Sequence, residues 1–488
     1  MASLEEIREH RLRKLSLLRE RGVDPYPIVS NQDATLFDVT NDFSKLSKKK
    51  KISLVGRIMS LRGQGALYFF NFNDGTGTFQ GMIKKDEIEE SVFNLFVDTV
   101  DIGDFIEVTG SLFNTKTKQK TVLIKSWKML TKSLRPLPEK WHGLQDVEER
   151  FRKRYLDALM SDEVKERFII RSKIITEVRS ILDEAGYLEV ETPALQPLYG
   201  GASAEPFITK HNALDMQMYL RISDELYLKR MLVAGFPKVY EIARDFRNEG
   251  IDTTHNPEFT MVEFYESYSD AARQMAFVEK IIKTIVKKVF KKTKLSHNAQ
   301  DIDFSKKFSV VSYFDLIKRY ALIPNPESIN HEELALVATQ LGIKINPSDS
   351  IPKLFDNIYK KMCRPKLVQP TFIIDYPAEY LPLAKRNPKN PKFVDAFQLV
   401  AGGIELVKAF SELNDPIDQR DRFVEQEKTL KKGESDAQRM DDDFLEALEY
   451  GMPPAGGVGI GIDRLVMFLT DTHNIKEVIF FPTMKPKE

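Results

Sequence analysis

A single cysteine, Cys363, leaves the chain without an internal disulfide and without a thiolate cluster for zinc or iron–sulfur. Any metal chemistry must use oxygen ligands. Net charge is lacking too: 72 Lys and Arg stand against 72 Asp and Glu. That balance gives no global pull toward nucleic acid or a membrane surface, so RNA contact must come from a local patch. No run approaches the about 18 apolar residues that span a bilayer. The N-terminus, MASLEEIREHRLRKL, mixes charges and has no apolar core of signal-peptide type. These absences lead to the expectation of a cytoplasmic protein with no membrane partner, and 488 residues suffice for two or three domains.

Four segments are expected along the chain. Residues 1–50 form a helical extension, in which 3 to 20 read as an amphipathic helix through Leu4, Ile7, Leu12, Leu15 and Leu18. Its basic residues Arg8, Arg11, Arg13 and Lys14 serve packing or meet RNA phosphate. Residues 51–133 hold five short alternating stretches, ISLVGRIMS, ALYFFNF, FQGMI, FIEVTGSLF and VLIKSW, with DGTG as hairpin punctuation. That count fits a small closed barrel of OB type, which binds single-stranded nucleic acid on aromatics and basic residues. Alternation sends Phe70 and Phe72 to one side and Phe69 to the other, with Arg57, Arg62 and the lysines of 114 to 120 supplying charge. A solvated lysine run over a phenylalanine core explains the same pattern. Residues 134–162, with Pro136 and Pro138 followed by dense charge, read as a linker.

Residues 163–488 mix elements. Helices are expected at 163 to 185, 224 to 233, through 270 to 363, and from near Asp463. Strands are expected in YLEVETPAL up to Pro193, at 238 to 243, 258 to 268, 371 to 375, 395 to 412 and 457 to 462. Without a regular βαβ repeat, these favour a mainly antiparallel sheet flanked by helices, an α+β fold. In FTMVEFYESY, Phe259, Met261, Glu263 and Tyr265 share one strand face, and Val262 and Phe264 the other. A carboxylate buried between a ring and a phenol demands a partner, either a cationic ligand or an internal Arg. Just upstream, Arg244, Arg247, Glu249 and His255 gather around one loop, which is a phosphate grip or a surface of ion pairs. In GGIELVKAFSELNDP, Phe410 and Glu412 face the same way, and Glu405 joins them only if a bulge intervenes. Two such carboxylates hold Mg²⁺ between phosphate oxygens, or face solvent. GGVGIGIDRLVMFL lines a strand with glycines ahead of Arg464, a pattern that is neither a P-loop nor the GxGxxG dinucleotide motif.

FRNEGIDTTHNPEFTMVEFY, AFSELNDPIDQRDRF and GMPPAGGVGIGIDRLVM resemble the three signature regions of class II aminoacyl-tRNA synthetases, specifically the lysine enzymes with an N-terminal anticodon-binding OB domain. The resemblance covers essentially the whole chain. It implies that lysine and ATP form lysyl-adenylate and pyrophosphate, and that lysine then passes to the 3′ end of tRNA(Lys), giving AMP. It further implies a homodimer built on the helix from Glu163 and the strand ending at Pro193, up to three Mg²⁺ ions per site, and no DNA partner. Arg247 is similar to the arginine on the α-phosphate, Glu249, His255 and Asn256 attend the nucleotide, and Phe259 and Arg464 sandwich adenine, Arg464 also lying near the γ-phosphate, with Gly461 beside them. Glu405 and Glu412 resemble the Mg²⁺ carboxylates. Lysine choice falls to Glu225, Glu263, Tyr265, Phe410 and Gly201, and anticodon contact to Arg62, Phe69 and Gln80.

The chain departs from that pattern at Lys408, where the family has Asn; at Glu205, where it has a basic residue; and at Gln119, in place of a Glu. An aspartate or asparagine enzyme of the same subgroup would need a cation in the slot, which only Lys408 offers. A related family that modifies a translation factor lacks the barrel. The remaining alternative is an RNA-binding scaffold that has lost catalysis.

Overall fold

The computed structural model describes residues 3–138, 144–346, 349–431 and 439–487, and the chain forms two compact units, Met1–Gly143 and Leu144–Glu488.

In the first unit five strands close a barrel in the order Ile52–Gln64, Leu67–Asn73, Thr78–Lys84, Lys120–Thr131 and Phe105–Asn114. The expected division of the aromatic strand holds: Phe70 and Phe72 are fully buried with Ile58, Ile106 and Val108, whereas Phe69 is half-buried on the outer side. The helix Leu4–Glu20 is held by its basic side. Arg11 Nη1 donates to the carbonyls of Ser133 and Arg135, and Lys14 Nζ pairs with Asp101 at 2.7 Å. Those two side chains are therefore committed to packing.

In the second unit an eight-stranded sheet runs Ser309–Ser312, Thr371–Ile374, Ala396–Ala401, Ile404–Ser411, Ala455–Gly461, Glu258–Ser267, Lys238–Phe246 and Leu188–Glu189. Its two outermost pairings are parallel and the inner ones antiparallel. The expected 395 to 412 strand is a hairpin, because Gly402 and Gly403 both adopt positive φ, at 57° and 74°, and turn the chain. YLEVETPAL contributes only two residues to the main sheet, and the 270 to 363 stretch includes the hairpin Lys294–His297 and Gln300–Asp303 beside its helices. The second half of the expected linker folds as the helices Val147–Arg152 and Arg154–Met160 of this unit.

One face of the sheet is covered by two long helices. Asp162–Glu184 is N-capped by Ser161, whose Oγ accepts from Val164 N–H, and Ala271–Phe290 is N-capped by Asp270. Their residues Ile174, Val178, Ile281 and Ile282 pack on Val262, Phe264, Val458 and Ile460, every one of them buried. With that face sealed, the opposite side of the same strands is free to carry chemistry. A helical module over Tyr313–Cys363 builds its own core around Tyr313, Phe314 and Phe355.

Phe72→Ala is expected to destabilise the barrel by roughly 3–5 kcal/mol, because it empties a fully packed site, and Phe69→Ala by far less. Hydrogen exchange at the barrel amides of each variant checks this ordering.

Candidate active site

The open face of the sheet forms the floor of a cavity of about 990 Å³. The strand Glu258–Ser267 presents Phe259, Met261, Glu263 and Tyr265 to it, as alternation requires. The neighbouring strand places Gly459 opposite Glu263 and Gly457 opposite Tyr265. A Cβ on Gly457 would overlap the Glu412 carboxylate and the Tyr265 ring, so the slot exists only because that residue has no side chain. Gly201, at φ +85°, packs under the same end, where a Cβ would lie 3.0 Å from Ser223 Oγ.

That end is crowded with acid. Glu263 accepts from Ser223 Oγ at 3.1 Å and from Tyr265 Oη at 2.9 Å, and no arginine among the described residues pairs with it. The helix Glu225–Val233 begins with buried Glu225 and, one turn on, carries Lys229, which is wholly inaccessible. Lys229 Nζ pairs with Glu225 at 2.6 Å and Glu412 at 2.5 Å, and lies 5.4 Å from the Phe410 ring centre. Burial works against the Lys229 charge, but the two carboxylates hold its pKa above the ordinary value. Behind them lie Asp224 and Asp245, whose carboxylate oxygens have no hydrogen-bond partner. Ligand atoms of Asp224, Asp245 and Glu263 fall within 4.8 Å of one another, a group able to hold a cation. Lys229 beside Glu225 and Glu412, with Arg221 and Arg247 acting on Asp245, leaves these carboxylates in excess. Burial, then Asp245 and Glu225, push Glu263 up to about 8, and burial pushes Asp245 up to about 6 against Arg247 and Arg221.

The other end is cationic. Arg247 stacks over Phe259 at 5.0 Å and donates Nε and Nη2 to the Ile222 carbonyl at 3.3 Å. Arg464 Nη2 lies 2.9 Å from His255 Nε2, and His255 Nδ1 lies 2.9 Å from Asp252. The first turn of the helix Ile462–Leu469 is anchored by Asp463, which pairs with Arg171 at 2.5 Å and accepts from Thr260 N–H at 2.8 Å. That clamp aims Arg464. Asn256 Nδ2 donates to the Glu258 carbonyl, and Glu249 and Gly461 line the wall. Burial lowers the Arg464 pKa, with Arg247 and Arg364 adding repulsion against the attraction of Glu405 and Asp252.

The cavity thus gathers the expected nucleotide and amino-acid residues, Lys408 and Glu205 among its lining. Opposite Leu399 and Val400 the strand Ile404–Ser411 carries a bulge, pairing Val407 and then Glu405, so Glu405 swings onto the cavity side. Glu412 lines the same cavity and pairs with Lys229 among the acids, whereas Glu405 acts on Arg464. The residues sequence reasoning missed are Lys229, Asp224, Asp245 and Arg364. Of these only Lys229 had a readable signal, the (i, i+4) spacing from Glu225. In the barrel, Arg62, Phe69, Gln80 and Gln119 line a second cavity, with Arg62 directly opposite Phe69 and Gln80 Oε1 accepting from Thr121 Oγ1.

A nucleic-acid-binding OB barrel joined to an antiparallel catalytic sheet defines the class: the model of class II tRNA synthetases (D, K and N) matches residues 146–485, and that of OB-fold nucleic acid binding domains matches 52–130. Among its relatives, the lysine–tRNA ligase of Pelotomaculum thermopropionicum is 47% identical over 487 residues, covering 99% of this chain and 96% of that protein. The lysine–tRNA ligase of Carboxydothermus hydrogenoformans is 45% identical over 485 residues, covering 99% of each. The chain belongs to the class II tRNA synthetases, within the lysine–tRNA ligase family.

Glu263 titrates at about 8 in the fold against its ordinary 4.5, so the folded state holds the proton more tightly and stability falls as pH rises across that interval. The stability difference between the native protein and Glu263→Gln is expected to shift in favour of the variant from about pH 5 to about pH 8. Denaturant midpoints at both pH values check it, and a difference that stays constant contradicts the assignment.

Proposed function

We propose that the chain is a lysine–tRNA ligase whose slot reads the substrate by charge. The observation that carries this is the excess of buried carboxylates at one end of the cavity: Lys229 pairs with Glu225 and Glu412, and Glu263 has no ion-pair partner among the described residues. A ligand bearing ammonium groups supplies what the fold leaves unpaid; an acidic or amide side chain would not. Arg247, at the opposite end of the slot, takes the amino-acid carboxylate and the α-phosphate together.

In the first step a carboxylate oxygen of lysine attacks the α-phosphorus in line, the bond to the β-phosphate oxygen breaks, and pyrophosphate leaves. Arg247 offsets the charge on the phosphoryl oxygens, and Phe259 and Arg464 hold the adenine between them. In the second step the terminal ribose hydroxyl of tRNA attacks the adenylate carbonyl and AMP departs. Mg²⁺, when bound, adds positive charge across the phosphate oxygens. Glu405 and Glu412 would hold it as carboxylates beside the substrate phosphates, the usual way this ion is held, and Glu412 also pairs with Lys229. Arg62, Phe69 and Gln80 are proposed to meet the anticodon. A homodimer is proposed through the helix Asp162–Glu184, beside which Phe168 stacks on the half-exposed Phe480 at 3.7 Å.

The test is amino-acid-dependent exchange of labelled pyrophosphate into ATP, with each of the twenty amino acids in turn. Exchange with lysine alone is the expected result. Exchange driven by aspartate or asparagine would mean that Lys408 governs the slot, and no exchange from folded protein would favour a scaffold. Glu225→Gln is expected to raise the lysine KM about a hundredfold or more, because it leaves a buried charge unpaired.

A further inference from the structure

Among the groups at the cationic end of the cavity that the mechanism above does not use, one stands without an ion-pair partner among the described residues. The helix Ile351–Ile358 ends in a π turn, Tyr359–Cys363, a geometry that often marks functional positions, and then in the 3₁₀ turn Arg364–Lys366. Arg364 lines the cavity from this segment. Its Nε is buried without a hydrogen-bond partner, and its guanidinium makes no ion pair among the described residues. Lys360, which reaches the same cavity, is already paired with Asp356 at 2.7 Å.

The position of Arg364 is fixed by the fold. Gly402 and Gly403 N–H groups donate to the Val368 and Leu367 carbonyls at 2.9 and 3.0 Å, tying this turn to the hairpin that carries Glu405. The Arg364 carbonyl lies against Gly403, where a Cβ would meet Pro365 at 3.3 Å. A rigid backbone therefore aims a guanidinium lacking a partner toward Arg464, which also feels Arg247. Three arginines sharing one wall repel unless a multiply charged anion lies between them. Glu405 and Asp252 are the acids that act on Arg464 there.

We propose that Arg364 is a third phosphate-binding arginine, gripping the outer phosphates of ATP before the first step and pyrophosphate after it. This rests on the functional reading above. Arg247, bonded to the Ile222 carbonyl, belongs to the side where the amino acid meets the α-phosphate; Arg364 stands with Arg464 and Glu405, where the leaving group lies.

The test compares the full-length protein with Arg364→Ala and Arg364→Lys, by equilibrium dialysis of ATP with Mg²⁺ in the absence of amino acid and by the KM for pyrophosphate in exchange. Arg364→Ala is expected to weaken ATP and pyrophosphate about tenfold or more, with Arg364→Lys recovering part of the loss. The lysine KM and the melting temperature are expected to stay unchanged. ATP binding within about twofold of the native protein in Arg364→Ala overturns the proposal. So does a loss that falls equally on lysine or that comes with a lowered melting temperature, since either marks a structural role. Native protein that binds ATP yet exchanges with no amino acid defeats the functional reading alone, and the dialysis comparison then decides Arg364. Native protein that binds no ATP overturns both.

Discussion

Buried carboxylates that outnumber their cations are the constraint around which the second unit is organised. Glu225, Glu263 and Glu412 converge with Asp224 and Asp245, and among the described residues Lys229 answers Glu225 and Glu412 while Arg221 and Arg247 act on Asp245. Removing charge from water costs several kcal/mol per ion even after relaxation, so an uncompensated group of this size protonates or waits for a ligand. The raised affinity of Glu263 for its proton expresses that strain. Lys229 prevents the arrangement from flying apart without saturating it: it holds Glu225 and Glu412 at fixed positions while leaving the cavity net acidic. The same residue that stabilises the pocket therefore sets its appetite for a cation.

The rest of the architecture keeps the acidic end and the arginine end on one sheet without letting them neutralise each other. The strand Glu258–Ser267 carries Phe259 at one end of its cavity face and Glu263 and Tyr265 toward the other, and a glycine-lined neighbour leaves the space between them open. The Arg171–Asp463 pair locks the helix bearing Arg464, and the core of Val262, Phe264 and Ile460 behind the sheet resists any shift of the floor. A substrate with ammonium at one end and a carboxylate joined to phosphate at the other is the complement of that layout.

The barrel, the antiparallel sheet and the two-faced strand were legible because each rests on a period of two with one face buried, a signal local to the strand itself. Phe70 and Phe72 against Phe69, and Val262 and Phe264 against Glu263, follow from it directly. Tyr265 beside Glu263 follows from the same alternation, whereas Ser223 was not legible: it meets Glu263 through the tertiary fold, where an internal arginine was the alternative expectation. For Glu405 alternation required a bulge to reach the cavity side, and the strand carries one, which reverses its parity. Glu412 was grouped with Glu405 by resemblance, and its engagement with Lys229 joins two segments far apart in sequence. Arg364 gave no sign at all, because its role depends on a π turn and on the hairpin glycines that fix it.

The proposed reading of substrate by charge implies that a ligand ammonium displaces the proton held on buried Glu263. The direct measurement is calorimetric titration of L-lysine near neutral pH in two buffers of different ionisation enthalpy. With Glu263 titrating at about 8, the account predicts release of up to about one proton per site, lost in Glu263→Gln. Lysine binding with no proton release, or with proton uptake, would contradict it.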